Sequence, residues 1–167
     1  QNKNFIIMTN AGCDFLIIDP RVKKNKFCNH KIQTQREIKI KKYKNSTIIL
    51  YLNYQNLDAE NIKLNLFLDN VNKYLKLDYN IILIYPTPQF QNNVSSSLYD
   101  LYHNDKKNFL NNISKEENYV SLDFEEFRTD VKNIHESFNN LIHKNLYRVF
   151  PESIFCNQII KDKCLGN

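Results

Sequence analysis

Residues 80–90 read N-I-I-L-I-Y-P-T-P-Q-F, and this stretch restricts the fold more than any other. The unbroken apolar run from Ile81 to Tyr85 fits a strand buried on both faces, as in a parallel sheet covered by helices. Pro86 has no N–H to give a ladder, so the strand ends there and the chain turns out of the sheet. Ligands of open parallel sheets bind just beyond the carboxyl ends of the strands. Pro86, Thr87, Pro88 and Gln89 are therefore the candidate cleft-lining residues. A purely structural strand end reads the same way.

The remainder alternates strand-like and helix-like segments. Residues 4–9 read as a short strand stopped by Asn10-Ala11-Gly12, and residues 46–52 (S-T-I-I-L-Y-L) as a second buried strand. Residues 34–43 suit a helix with Ile38 on its inner side, although Ile38-Lys39-Ile40-Lys41 also alternates like a strand. Over residues 58–77, Ile62, Leu66, Phe67, Val71, Tyr74 and Leu75 recur at helical spacing. Residues 89–112 have an irregular pattern, read as a loop holding Ser95-Ser96-Ser97 with room for a short helix after it. Ser114 with Glu117 three residues on has the form of a capping box. Val120, Phe124, Phe127, Val131, Ile134, Phe138 and Leu141 follow in a 4-3-4-3-4-3 spacing, which predicts a helix from Ser114 to about His143. His135 and His143 are expected on its exposed side. Residues 146–150 read as a last strand before a loop holding Cys156 and Cys164. Alternation of this kind predicts an α/β domain with a parallel sheet and helices on both faces.

Two glycines in 167 residues are too few for glycine-rich phosphate loops, which argues against dinucleotide-binding and P-loop readings. The net charge of +5 includes a cluster at Lys39, Lys41, Lys42 and Lys44. That cluster suits either an acidic partner or a solvated helix face, and no nucleic-acid motif accompanies it. No apolar run reaches spanning length and no signal peptide is present. The chain opens on Gln1 and enters a strand-like run at once, as expected of a domain cut in its middle.

Four cysteines fall into two local pairs, Cys13 with Cys28 and Cys156 with Cys164. Two disulfides in an oxidising compartment, a metal site joining Cys28 and His30 to the other pair, and free buried thiols are the three readings. The disulfide reading fits best, because no C-x-x-C spacing occurs. No G-x-S-x-G, H-E-x-x-H or paired-carboxylate signature occurs either, so no metal or cofactor is expected.

Taken in order, N-A-G-C-D-F (10–15), a second cysteine at Cys28, I-I-L-Y-L-N-Y (48–54), I-L-I-Y-P-T-P-Q-F (82–90), S-K-E-E-N-Y (114–119) and V-F-P-E-S-I-F-C-N (149–157) with Cys164 beyond resemble one family. It is the SGNH-hydrolase-like domain at the C-terminus of integral-membrane acyltransferase-3 proteins, bacterial O-acyltransferases of surface polysaccharides such as lipopolysaccharide. The resemblance implies a flavodoxin-like (SGNH/GDSL hydrolase) three-layer α/β sandwich with a parallel sheet, incomplete here. Residues 1–167 would be the central part of one such domain. A G-D-S nucleophile motif would lie upstream of Gln1, and a D-x-x-H motif carrying the Asp and His downstream of Asn167.

The resemblance further implies acyl transfer, with acetyl the expected group, through a Ser-His-Asp triad outside this segment. Partners would be an acyl donor, a polysaccharide acceptor and the N-terminal membrane domain of the same full-length chain, with no nucleic acid. The location would be the periplasmic face of the bacterial inner membrane, where disulfides persist. Asn53, where the second strand ends, is the one residue here suited to oxyanion donation. The family commonly has Arg-Trp where this chain has Asn53-Tyr54, and a structural cap of the strand end is the other reading of Asn53. A non-catalytic periplasmic module of the same fold, holding a glycan or a protein, is the alternative function.

Overall fold

The computed structural model describes residues 29–44, 46–51, 62–90, 93–115 and 118–166. The chain divides into two compact units, Gln1–Ile84 with Glu136–Val149, and Tyr85–His135 with Phe150–Asn167.

Among the described residues, the first unit holds three parallel strands, β1 (Thr47–Leu50), β2 (Asn80–Ile84) and β4 (Leu146–Val149), with β2 in the middle. Ile48 lies opposite Ile81, and Ile81 opposite Leu146. Ile81 and Leu83 are wholly buried, whereas Ile82 and Ile84 are half-buried. The apolar run is thus the central described strand, with one face fully covered and the other covered in part. β1 departs from the buried strand expected of it. Only Leu50 is buried and Ile49 is 53% exposed, because β1 lies outermost among the described strands and alternates inward and outward.

Helix α1 (His30–Lys41) starts where the Asn29 side chain accepts a hydrogen bond from the Ile32 N–H, a standard N-cap. It begins earlier than its apolar residues indicate, and Ile38 faces outward at 51% exposure. The inner positions are Gln33, Arg36 and Ile40, so an inward face at three- and then four-residue spacing, carried mostly by polar side chains, replaces the expected apolar one. Lys39, Lys41, Lys42 and Lys44 are exposed. Helix α2 (Ile62–Lys76) buries Leu64, Phe67, Val71, Tyr74 and Leu75 on one face. It stops at Asp78, whose φ of 61° lies in the left-handed region.

Glu37 ties the two helices together, accepting from the Lys73 ammonium at 2.6 Å and lying 3.0 Å from that of Lys41. Both lysines hold its carboxyl below the usual range. The Tyr79 hydroxyl donates to the Ile40 carbonyl at 3.1 Å.

The second unit begins as the chain leaves β2. It contains α3 (Val94–Asn104), α4 (Phe109–Ile113), β3 (Ser121–Asp123), the start of α5 (Phe124–Asn139), α6 (Glu152–Phe155) and β5 (Lys163–Leu165). β3 and β5 pair antiparallel, with Leu122 opposite Cys164.

The long helix does not start at Ser114. That hydroxyl donates to the Leu110 and Asn111 carbonyls and closes α4, while residues 121–123 stay extended to pair with β5. Asp123 is the true cap, its Oδ1 accepting from the Glu125 and Glu126 N–H groups. The helix ends at Asn139, which leaves Leu141 and His143 beyond it. In the first unit, Arg148 of β4 donates to the carbonyls of Phe138 and Leu141 at that end. Phe127, Ile134 and Phe138 are buried as the spacing requires. β4 is not the last strand, because β5 follows it.

Candidate functional site

Where β2 ends, Tyr85 and Pro86 enter the second unit with both side chains wholly buried. Pro88 is buried, and Thr87 and Gln89 are half-buried. Two aromatic neighbours hold the Tyr85 ring. His135, from α5, stands perpendicular to it at 5.0 Å between centroids. Phe150, the residue after β4, lies at 4.4 Å with a 45° tilt.

Pro151 and Glu152 follow Phe150, and Glu152 opens α6. The Glu152 Oε2 and His135 Nε2 atoms are both buried, and neither has a hydrogen-bond partner among the described residues. Native structures leave few buried polar atoms in this state. Burial lowers the His135 pKa, the Glu152 carboxylate opposes that shift, and the Arg128 guanidinium adds to it. A neutral imidazole is the form this site favours. Among the described residues, no hydroxyl or thiol is bonded to Nε2.

Sequence reasoning placed His135 on the exposed side of its helix. It lies four residues after Val131 and three before Phe138, however, and both spacings put it beside the apolar stripe. That relationship was the available signal. His143, expected on the same helix, follows its end, and its Nδ1 accepts from the Asn145 N–H at 3.2 Å.

Sequence reasoning also passed over Asp100-Leu101-Tyr102-His103, which has D-x-x-H spacing far from the C-terminal end. The segment is the last part of α3, with Asp100 and His103 exposed. The His103 ring packs on Tyr99 at 4.2 Å. The motif letters here serve a helix surface.

Cys156 and Cys164 form a disulfide. Both are buried in a cluster with Phe127, against which Leu122, Phe124 and Val131 pack. Cys13, Cys28 and Asn53 lie outside the described residues. Among the described residues, no group of three or more His, Cys, Asp or Glu side chains is arranged to hold a metal ion. No described helix is long and apolar enough to cross a membrane.

A protein-family model described as an SGNH domain fused to AT3 domains matches residues 1–166. No curated protein and no solved structure matches the chain.

Proposed function

The chain belongs to the SGNH domains that are fused to AT3 domains, and from that membership we propose that it works in O-acyl transfer to a cell-surface polysaccharide. The family match across residues 1–166, over a parallel β1-β2-β4 sheet, is the observation that carries this reading. The catalytic Ser, Asp and His belong to parts of the domain flanking residues 1–167. In support, these residues contain no G-D-S, and their one D-x-x-H is on the surface of α3.

In the proposed reaction the Ser hydroxyl attacks the acyl carbonyl of a donor while the His takes its proton. The tetrahedral intermediate collapses to an acyl-Ser ester and expels the donor's leaving group, which receives that proton. A sugar hydroxyl then attacks the ester and gives its proton to the His, which returns it to the Ser oxygen as the sugar leaves with the acyl group. Asn53 is proposed as a donor to the oxyanion formed at both stages. Pro86, Thr87, Pro88 and Gln89 are proposed to line the edge of the cleft. The Cys156–Cys164 disulfide supports a periplasmic location, since such bonds persist in oxidising compartments.

The test uses the full-length protein in cells lacking the chromosomal copy, with ester-linked acyl groups on the surface polysaccharide measured by mass spectrometry. Acylation restored by the wild-type gene and lost with the G-D-S serine changed to Ala supports the reading. Acylation that persists without that serine, or a full-length chain that contains no such motif, overturns it. Asn53→Ala is expected to lower turnover by about 10²–10³-fold; unchanged turnover removes Asn53 from the mechanism.

A further inference from the structure

Helix α3 is apolar on two sides of different chemistry. Its aliphatic residues Val94, Leu98 and Leu101 are half-buried and lie along one stripe, as three- and four-residue spacings require. The exposed side next to that stripe carries Tyr99 at 61% and Tyr102 at 44% exposure, with the exposed His103 ring in contact with both. Ser95 and Ser96 lie one turn back, and Asp100 lies at the edge.

These rings are held in place. Tyr99 packs on His103 with centroids 4.2 Å apart. Tyr102 meets the half-buried Phe109 edge-on at 5.5 Å, and the Lys106 ammonium lies 5.4 Å from its ring centre. Asp105 steadies the turn behind them by accepting hydrogen bonds from the Asn108 backbone and from the Asn108 and Asn112 side chains. The Asn93 side chain caps the start of the helix by accepting from the Ser95 and Ser96 N–H groups.

We propose that the outer face of α3, centred on Tyr99 and Tyr102, is a binding platform for a polysaccharide chain. Two exposed tyrosines offer flat apolar area with polar tips at little entropic cost. The C–H faces of pyranose rings pack on such area, and ring hydroxyls find partners in serine, histidine and carboxylate groups. A lipid surface or a partner helix would select a run of exposed aliphatic residues, whereas those of α3 are half-buried and only Leu110 of α4 is exposed. A nucleic acid would select a run of cations, whereas here Lys106 and Lys107 are matched by Asp100 and Asp105. Taking surface polysaccharide as the ligand rests on the proposed function. Binding is read separately from acyl transfer, so each can fail alone.

The test uses detergent-solubilised full-length protein and polysaccharide extracted from the surface of the cells that produce it, with Kd measured by thermophoresis. Tyr99→Ala with Tyr102→Ala is expected to weaken binding roughly tenfold or more, the usual result of truncating a paired aromatic anchor. Tyr99→Phe with Tyr102→Phe is expected to retain most of the affinity. Tyr147→Ala, at an exposed tyrosine of β4, is expected to leave Kd unchanged. In acyl transfer, the double alanine variant is expected to raise KM for polysaccharide and leave kcat unchanged.

An unchanged Kd in the double alanine variant overturns the platform, as does a wild type that does not bind. Tyrosine-dependent binding without acyl transfer keeps the platform and removes the catalytic reading. Acyl transfer indifferent to both tyrosines does the reverse.

Discussion

The imidazole of His135 stands perpendicular to the buried ring of Tyr85, with centroids 5.0 Å apart. A histidine held this way resists protonation more than a free one, because burial disfavours its charged form. The unfolded chain binds that proton more readily. Stability from this residue is therefore complete above the unfolded value of 6.5 and is lost as pH falls through the lower folded value. His135→Phe keeps the ring contact and removes the titrating group. The expected result is a smaller loss of stability between pH 7 and pH 5 than in the wild type, followed by urea unfolding. Identical pH profiles would assign the dependence elsewhere.

Joining Cys156 to Cys164 closes a loop with a sequence separation of 8. The chain-entropy treatment gives such a closure about 2–3 kcal/mol of stability. Changing both residues to Ala is expected to cost that much, measured by denaturant unfolding without reductant. Because both sulfurs lie in a packed cluster, mild reductant is expected to reach the native bond slowly and the unfolded chain quickly. Equal reduction rates in water and in denaturant would contradict that burial.

Phe67 and Phe138 meet at 5.7 Å, and both are wholly buried. Phe138→Ala removes a ring from the core of the first unit, at an expected cost of about 3–5 kcal/mol. Tyr99→Ala, on the outer side of α3, is expected to change stability by less than about 0.5 kcal/mol. A Phe138→Ala variant as stable as that one would mean the site collapses around the missing ring.

Asp78 holds a φ of 61° after α2, in the region where side chains other than those of Gly, Asn and Asp crowd the backbone. Asp78→Val is expected to destabilise the protein by about 1–2 kcal/mol. Asp78→Gly is expected to be neutral to within about 0.5 kcal/mol, because relief of strain is offset by greater freedom of the unfolded chain. Thermal melts of the two variants side by side provide the check.

The parallel sheet was legible because Ile81–Tyr85 combines an apolar run with a proline stop, two local signals that agree. The amphipathic face of α2 was legible from its spacing. The start of α5 was misread because Ser114 and Glu117 satisfy the letters of a capping box, while the hydroxyl is bonded to carbonyls of α4. What keeps residues 121–123 extended is pairing with Lys163–Leu165, a long-range contact that no local window contains. β5 was missed for the same reason. Ile38 was placed inside because it is apolar, yet α1 turns Gln33 and Arg36 inward. The spacing of His135 from Val131 and Phe138 points inward, while a polar ring suits a helix surface equally well, so its position and its residue type give opposite signals.

Ile81 pairs with Leu146, and the whole of Tyr85–His135 lies in the chain between them. Zipping β2 onto β4 therefore has to wait for a long excursion of the polypeptide to come round, and the entropy of closing it is lost before any ladder bond forms. β1 with β2 closes a much shorter detour through α2 and can dock first. During synthesis the β1–α2–β2 portion leaves the ribosome well ahead of β4, so Leu83 and Ile84 spend that interval with one strand edge open. The growing chain is most exposed to aggregation in that interval, and a chaperone that shields β2 until Leu146–Val149 arrives would raise the yield of folded protein.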